Sequence, residues 1–517
     1  MKRPSSKNPV AVRFAFVLLL AVAGCSAQEP SKTTPMAKKT APVLERETWS
    51  LCSILDNRVG HAHTRVYREE LGGQPVLRTE MLNDLDVQRV GQSVKMKVGF
   101  TSVEKPSGEL IRFESFMDMG PQKILSTGRV VGNRLKIETV MQGKSTPSEL
   151  EWSPEYGGFN AVEQSLLRKP MQPGERREFK AILLGFNLLA SYELAAKDRE
   201  KIKLSGETKE LLRIDSTAVL PNGQKFQETL WTDRDGDAMK THSDDLNIET
   251  VRVTKEEATR RDSGKLFDII AATAVGLDRP IPNAHTTKKV RYRLHLFGEN
   301  PIKAFPAGPT QLLESVDANV AEITVYSIRP GLKDGNPDAV ADKPTEMDLR
   351  PNAMIQSGDP LVVSLADEAV GRETDAWKTA VLLEKFVHDY VKQKDFSQVL
   401  ASAAETAKSR EGDCTEHAVF LAALCRAKKI PARAVVGLVY VERLSAASVS
   451  PVFAYHMWVE AYIEGRWIPL DATLGLGGIG AEHLKVANVD LEDASMSSFL
   501  PVVQIVGRLK VEVLEVE

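Results

Sequence analysis

The chain has 517 residues, 42% hydrophobic, 26% charged and 6% aromatic, which is enough for several domains and too polar for a multi-span membrane protein. Its 67 basic residues nearly balance its 70 acidic ones. With no basic excess, a nucleic-acid partner is not expected.

Lys2, Arg3, Lys7 and Arg13 precede a short apolar run from Phe14 to Ala23, too short to cross about 30 Å of hydrocarbon as a helix. Residues 1–24 therefore predict a signal peptide. The run ends Val22-Ala23-Gly24-Cys25, and small residues before a cysteine resemble the lipobox of bacterial lipoproteins. That resemblance implies cleavage before Cys25, lipidation of Cys25 and a membrane partner through the lipid anchor. Ser26 in the following position implies the outer membrane of the cell envelope, with the body facing the periplasm. Cleavage removes four basic residues and no acidic one, leaving 63 against 70 and a net charge of −7. Cys52, Cys414 and Cys425 remain, an odd number, so at least one thiol stays free or pairs between chains. If Cys414 and Cys425 share a helix they stand about 16 Å apart, beyond disulfide reach. Any intrachain disulfide would then join Cys52 and Cys425.

Residues 25–47, rich in Pro, Ser, Thr and Lys, predict a flexible tether. From 48 to 260, short β-prone runs alternate with the turn signals Gly132-Asn133, Asn222-Gly223 and Asp235-Gly236, which predicts an antiparallel meander. Asp233 to Asp237 lacks the spacing of a calcium loop and reads as a turn. His61 and His63 alternate on a strand with no third ligand, so no metal and no cofactor is expected. Residues 261–345 predict a second β-rich region, with strands at Val290 to Phe297 and Ala321 to Ile328. Beyond it Trp377, Ala380, Val381, Leu383, Val387, Tyr390 and Val391 recur at helical spacing, and a helical layer opens the last region, 346–517.

That region carries the chemistry. Asp413 followed by Glu416, ahead of an apolar run, predicts a helix N-cap and capping box with Cys414 at the first helical position. The positive end of the helix dipole favours a thiolate there. Downstream, two β-prone runs flank Glu464-Gly465. A two-residue turn at that pair sets partners whose numbers sum to 929, so Trp458 faces Asp471, and His456 and Asp471 share one sheet face as diagonal neighbours. A cysteine at a helix N-terminus, a histidine and an aspartate are the nucleophile, base and orienting carboxylate of thiol acyl transfer.

These residues resemble the transglutaminase-like superfamily. The carriers are Gly412-Asp413-Cys414, Lys429-Ile430-Pro431-Ala432-Arg433, His456-Met457-Trp458-Val459-Glu460 and Trp467-Ile468-Pro469-Leu470-Asp471-Ala472-Thr473. Lys429 stands where the family pattern has glycine. The resemblance covers roughly 360 to 480 and implies a papain-like α+β core. The expected architecture is thus multidomain: N-terminal antiparallel β-rich domains followed by that core. It implies Cys414, His456 and Asp471 as the catalytic residues, with the backbone N–H of Cys414 as an oxyanion donor. Trp458, His417 and Glu416 are candidates for the substrate cleft, and His417 is a rival base. A protein or peptide substrate follows from this reading, and the β domains could hold a cell-envelope partner. The alternative is a binding or assembly lipoprotein that keeps the fold without the activity. Gly475-Leu476-Gly477-Gly478-Ile479-Gly480 matches G-x-G-x-x-G, but the 37 residues after it leave no room for the rest of a dinucleotide fold.

Overall fold

The computed structural model describes residues 41–517 apart from 90, 119–122, 142, 222, 224, 244–247, 261–266, 330–334, 337–338, 340–341, 393–400, 445–449, 492–499 and 504. The leader, Cys25 and Asn222 lie outside the described residues. Among those described, no helix is long and apolar enough to cross a membrane. The chain divides into two compact units. One includes residues up to 87 and from 93 to 267, and the other comprises 88–92 and Asp268–Glu517.

The first unit is one antiparallel sheet of fourteen strands between Val43 and Val253. Consecutive strands pair except Lys144–Glu151 and Arg176–Leu183, which form the two outer edges, and the first, Val43–Ile54, also pairs the last, Ile248–Val253, through Trp49↔Val253 to Ile54↔Ile248. The meander expected from the turn signals is present: Gly132-Asn133 closes a two-residue hairpin with Val131 opposite Arg134. Asp233 makes the expected turn, its Oδ1 accepting the N–H of Asp235 and of Asp237. His61 and His63 pack on Trp49, with ring centroids 5.5 and 3.7 Å away, and His63 meets Glu47 at 2.8 Å.

The tether expected to reach residue 47 stops earlier, because Val43 already opens the first strand. Arg68 and His63 on the neighbouring strand bind Glu45 and Glu47, so a charged run that looks solvated in sequence is held by cross-strand pairs. Leu110, Phe113, Leu135, Ile137, Trp152 and Ile182 form a buried cluster, each contributing roughly 1.5–3 kcal/mol on leaving water. One sheet face and the helix Ala161–Arg168 enclose a cavity of about 190 Å3.

The second unit holds two sheets and a helical layer. In the first sheet β1 (Lys289–Leu296), β2 (Gln311–Asp317), β3 (Val320–Tyr326) and β8 (Leu509–Val516) lie in the order β2-β3-β1-β8. The strands read as a separate region before 345 are thus completed by the chain's last strand. In the second sheet β4 (Ala432–Val441) lies between β5 (Val452–Ile463) and β7 (His483–Val489), and β6 (Arg466–Leu470) pairs β5. The helical layer around the second sheet includes α1 (Pro360–Val370), α2 (Ala376–Tyr390), α3 (Ala403–Ser409) and α4 (Cys414–Ala427).

Every residue of α4 from Thr415 to Arg426 is buried, between α1, α2 and α3 on one side and β4 and β5 on the other. Ala418, Ala422 and Ala423 make this close fit possible, and a helix apolar all round is a core helix. Its C-terminus is a Schellman motif: Ile430 N–H donates to Cys425 O and Lys429 N–H to Arg426 O, both at 2.9 Å. Lys429 takes φ 60°, the left-handed conformation that explains why glycine is the family's usual residue there. Lys429→Gly should therefore stabilise the protein by about 1 kcal/mol and raise the midpoint of thermal unfolding by about 2–4 °C. An unchanged or lowered midpoint would contradict this.

Candidate active site

The capping box at the head of α4 is formed as expected. Thr415 N–H donates to Asp413 Oδ1 and Asp413 N–H to Glu416 Oε2, both at 2.9 Å. Gly412 is part of the same device. It takes φ 153°, and a Cβ there would stand 2.4 Å from that of Glu416, so the Gly-x-Cys spacing leaves room for the carboxyl that closes the cap. Cys414 is the first helical residue and is partly exposed, whereas Cys52 and Cys425 are buried. All three thiols are free, and burial pushes those of Cys52 and Cys425 up to about 12.

The β5–β6 hairpin has the expected register. Val459 faces Leu470 and Ile463 faces Arg466 around Glu464-Gly465, both at positive φ (50° and 82°), as a tight two-residue turn demands. Asp471 follows β6 directly, and His456 Nε2 lies 2.8 Å from its Oδ2. The same imidazole interacts with Cys414, which adds to the rise of its pKa. With Nε2 on the carboxylate, Nδ1 is the nitrogen left for sulfur. Burial works against the charge of His456, but Asp471 and then Cys414 hold its pKa well above the usual imidazole value. Asp471 is buried too, yet His456 and His483 hold its carboxyl well below the usual range. This arrangement suits a base that accepts a thiol proton at Nδ1 while a fixed anion supports the resulting imidazolium.

The three residues expected to line a cleft all lie inside. Trp458 is 2%, His417 1% and Glu416 0% exposed. Trp458 crosses the strand at Gly437, where a Cβ would meet its ring at 2.6 Å, and stacks behind His456 with centroids 6.3 Å apart. His417 Nδ1 donates to the carbonyl of Asp413 at 2.5 Å, turning it to its own helix end. Glu416, besides capping α4, accepts the N–H of Ala401 at 2.8 Å. Burial, then the Asp413 charge, raises its pKa to about 8. An i+3 spacing on a helix suggests a shared face, but α4 is enclosed on every side, so that face opens onto core.

Motif residues outside the triad form a second cluster. Arg433 binds Glu460 at 2.8 Å and lies over the Trp467 ring at 3.8 Å, and Lys485 Nζ reaches both Glu460 oxygens at 2.7 Å. Asp342 binds Arg433 as well, and its carbonyl accepts from Trp467 Nε1 at 2.8 Å. Arg433, Glu460 and Trp467, each from a different motif, thus serve to lock β4, β5 and β6 together.

Two further acidic and basic groups touch Asp471 without any motif to announce them. Glu384 on α2 accepts the N–H of Asp471 at 2.9 Å and of Gly478 at 3.4 Å, which employs the glycine run as a backbone donor loop. His483, at the start of β7, places Nε2 3.2 Å from Asp471 Oδ2. His456 Nε2, Asp471 Oδ2 and His483 Nε2 lie within 4.8 Å of one another, and we assign them to hydrogen bonding, because both histidine contacts have the length of an N–H···O bond.

Burial, and then the charge of Asp471, pushes the Glu384 pKa up to about 8. Its unfolded value is near 4.3, so keeping it buried costs stability increasingly as pH rises from there toward 8. Glu384→Gln keeps a carbonyl for both N–H groups and cannot ionise. The variant's gain in unfolding free energy should be larger at pH 8 than at pH 5, by up to a few kcal/mol, in denaturant titrations at both values. An equal gain at both would contradict the assignment.

Residues 363–472 match the model of the transglutaminase-like superfamily and are a transglutaminase-like core within the longer chain. Among solved structures, a candidate cysteine protease from Cytophaga hutchinsonii is 17% identical, with 45% of this chain and 85% of that chain covered at a TM-score of 0.27. A β-barrel-like domain of unknown function from Brucella abortus is 7% identical, with 40% and 95% covered at 0.29. A candidate protease from Parabacteroides distasonis is 10% identical, with 68% and 64% covered at 0.17. Comparison with curated proteins gives no match.

Proposed function

We propose that the protein is a thiol acyl-transfer enzyme acting on amide or peptide bonds. The observation that carries this reading is the imidazole of His456, bound through Nε2 to Asp471 at 2.8 Å and interacting with Cys414 at the head of α4. Cys414 Sγ attacks the amide carbon, its proton passes to His456 Nδ1, and the oxygen takes the negative charge. The backbone N–H of Cys414, at a helix position with no intrahelical acceptor, can donate to that oxygen. The C–N bond then breaks as His456 returns the proton to the leaving amine, leaving a thioester.

Water is favoured over an amine as the second acceptor. A bound amine competes only if a groove raises its effective concentration, and Glu416 and Glu460 do not offer one. Glu416 is spent on the helix cap and Glu460 on Lys485 and Arg433. The protein would act as a lipoprotein anchored through Cys25 to the outer membrane, on peptides of the cell envelope, with its β unit available to an envelope partner.

Mature protein incubated with cell-envelope peptides, with and without a primary amine, should yield cleavage masses that Cys414→Ala abolishes. Amine adducts lost in the same variant would replace hydrolysis by transfer. Cys414 alkylation that follows an ordinary thiol and ignores His456→Ala would favour a binding lipoprotein instead. The anchor has its own check: Cys25→Ser should leave the membrane fraction, and an acylated mutant still in that fraction would defeat it.

A further inference from the structure

We propose that His483 is a positioning residue of the catalytic unit, a second histidine that clamps Asp471 from beside His456 and links it through Glu482 to His285. The proposal rests on the thiol reading above and deepens it. His483 Nε2 approaches the same Asp471 oxygen as His456, at 3.2 Å against 2.8 Å, while Asp471 Oδ1 accepts the N–H of Thr473. On its other side His483 Nδ1 lies 3.2 Å from Glu482 Oε1. Glu482 Oε1 also meets His285 Nδ1 at 3.1 Å. Asp471, Glu482 and His483 are at most 1% exposed, whereas the His285 side chain is 46% exposed. A file of ionisable groups therefore runs from Cys414 to the surface.

The hydrogen-bond roles follow from chemistry. A carboxylate oxygen that receives two imidazole nitrogens requires a proton on each, so both Nε2 atoms are N–H donors. For His456 this is the tautomer that leaves Nδ1 free to take the thiol proton. For His483 it leaves Nδ1 opposite a second carboxylate, where only a second N–H is attractive. His483 therefore sits as an imidazolium between two anions, and its pKa is raised against the cost of burial by Glu482 and Asp471. Glu482 is correspondingly lowered to about 2, as His483 and His285 outweigh its burial.

The groups facing His483 are Asp471 after β6, Glu482 beside it on the chain, His456 from β5 with ring centroids 5.8 Å away, and the uncharged Trp458 at 5.0 Å. Glu384 from α2 acts on it only through Asp471, and Arg329 only through the carbonyl of His285. A cation so close to His456, drawing on the same carboxylate, makes the His456 imidazolium a stronger acid. That favours release of its proton to the leaving amine. Removing the charge should let His456 hold its proton to higher pH.

The test is the rate of Cys414 alkylation by iodoacetate against pH. The anionic reagent favours the thiolate–imidazolium form, so the rate falls once His456 loses its proton. His483→Gln keeps an N–H for Asp471 without the charge, and should move the falling limb upward by on the order of one pH unit. Glu482→Gln removes the second anion that keeps His483 charged, and should move it the same way by less. His483→Phe, which also loses the donor, should lower the rate at every pH. If His483→Gln and Glu482→Gln both leave the limb at its wild-type position, His483 only fills space and the proposal is overturned. A wild-type profile with a single thiol-like limb, unaltered by His456→Ala, would instead remove the thiol reading and this proposal with it. Thermal unfolding of each variant separates a shifted limb from a damaged fold.

Discussion

Asp471→Asn should leave a folded protein in which Cys414-dependent turnover falls by about 10,000-fold. An asparagine that keeps Oδ1 on the Thr473 N–H turns its NH2 toward His456 Nε2, which must then become an acceptor. The imidazole proton moves to Nδ1, the nitrogen that has to receive the thiol proton, so the base is blocked by its own tautomer. His483 faces the same NH2 and must give up its Nε2 proton. Loss of the Asp471 charge also relieves Glu384, whose pKa should fall, so the variant should lose less stability toward alkaline pH than its catalytic defect suggests. Turnover of a peptide amide, with the unfolding midpoint as control, decides this. Activity within tenfold of wild type would remove Asp471 from the catalytic unit.

Glu460→Ala should cost about 3–5 kcal/mol, because it removes the buried anion that two cations share. Lys485 Nζ holds both Glu460 oxygens, Arg433 holds one, and Glu460 is 1% exposed. Burial lowers the Lys485 pKa despite Glu460, so without that anion the amine would shed its proton and Arg433 would be left to Asp342 alone. At about 2–4 °C per kcal/mol, the thermal midpoint should drop by roughly 10 °C. Glu460→Met combined with Lys485→Met removes the paired charges together and should recover much of the loss. A single variant as stable as wild type would show that the cluster contributes nothing to holding β4, β5 and β6.

The convergence of Cys414, His456 and Asp471 was legible in sequence for definite physical reasons. Asp413 and Glu416 announce a helix start because unpaired N–H groups need acceptors at that spacing, and Glu464-Gly465 sets the hairpin register because a two-residue turn allows only one. His483 and Glu384 were illegible for the opposite reason: they reach Asp471 from β7 and α2, and no local spacing links three separate elements. The cleft candidates failed on burial, since helical periodicity on α4 cannot reveal that neighbours cover every face. The fourteen-stranded sheet was legible as a meander through its turns. The pairing of its first strand with its last carries no local signal at all.

That closing pair has a consequence for how the chain acquires its structure. Trp49 must wait for Val253, so every intervening strand has to be synthesised before the first strand gains its second neighbour. The outermost strands, Lys144–Glu151 and Arg176–Leu183, come from the middle of this stretch and need only adjacent hairpins. The first half can therefore pair from the centre out to its rim and the second from its rim inward, and the last hydrogen bonds to form are the ones that join the two halves. A contact of such long range makes folding slow and leaves an unpaired edge exposed meanwhile. Until those hydrogen bonds form, that edge is the segment most in need of a chaperone.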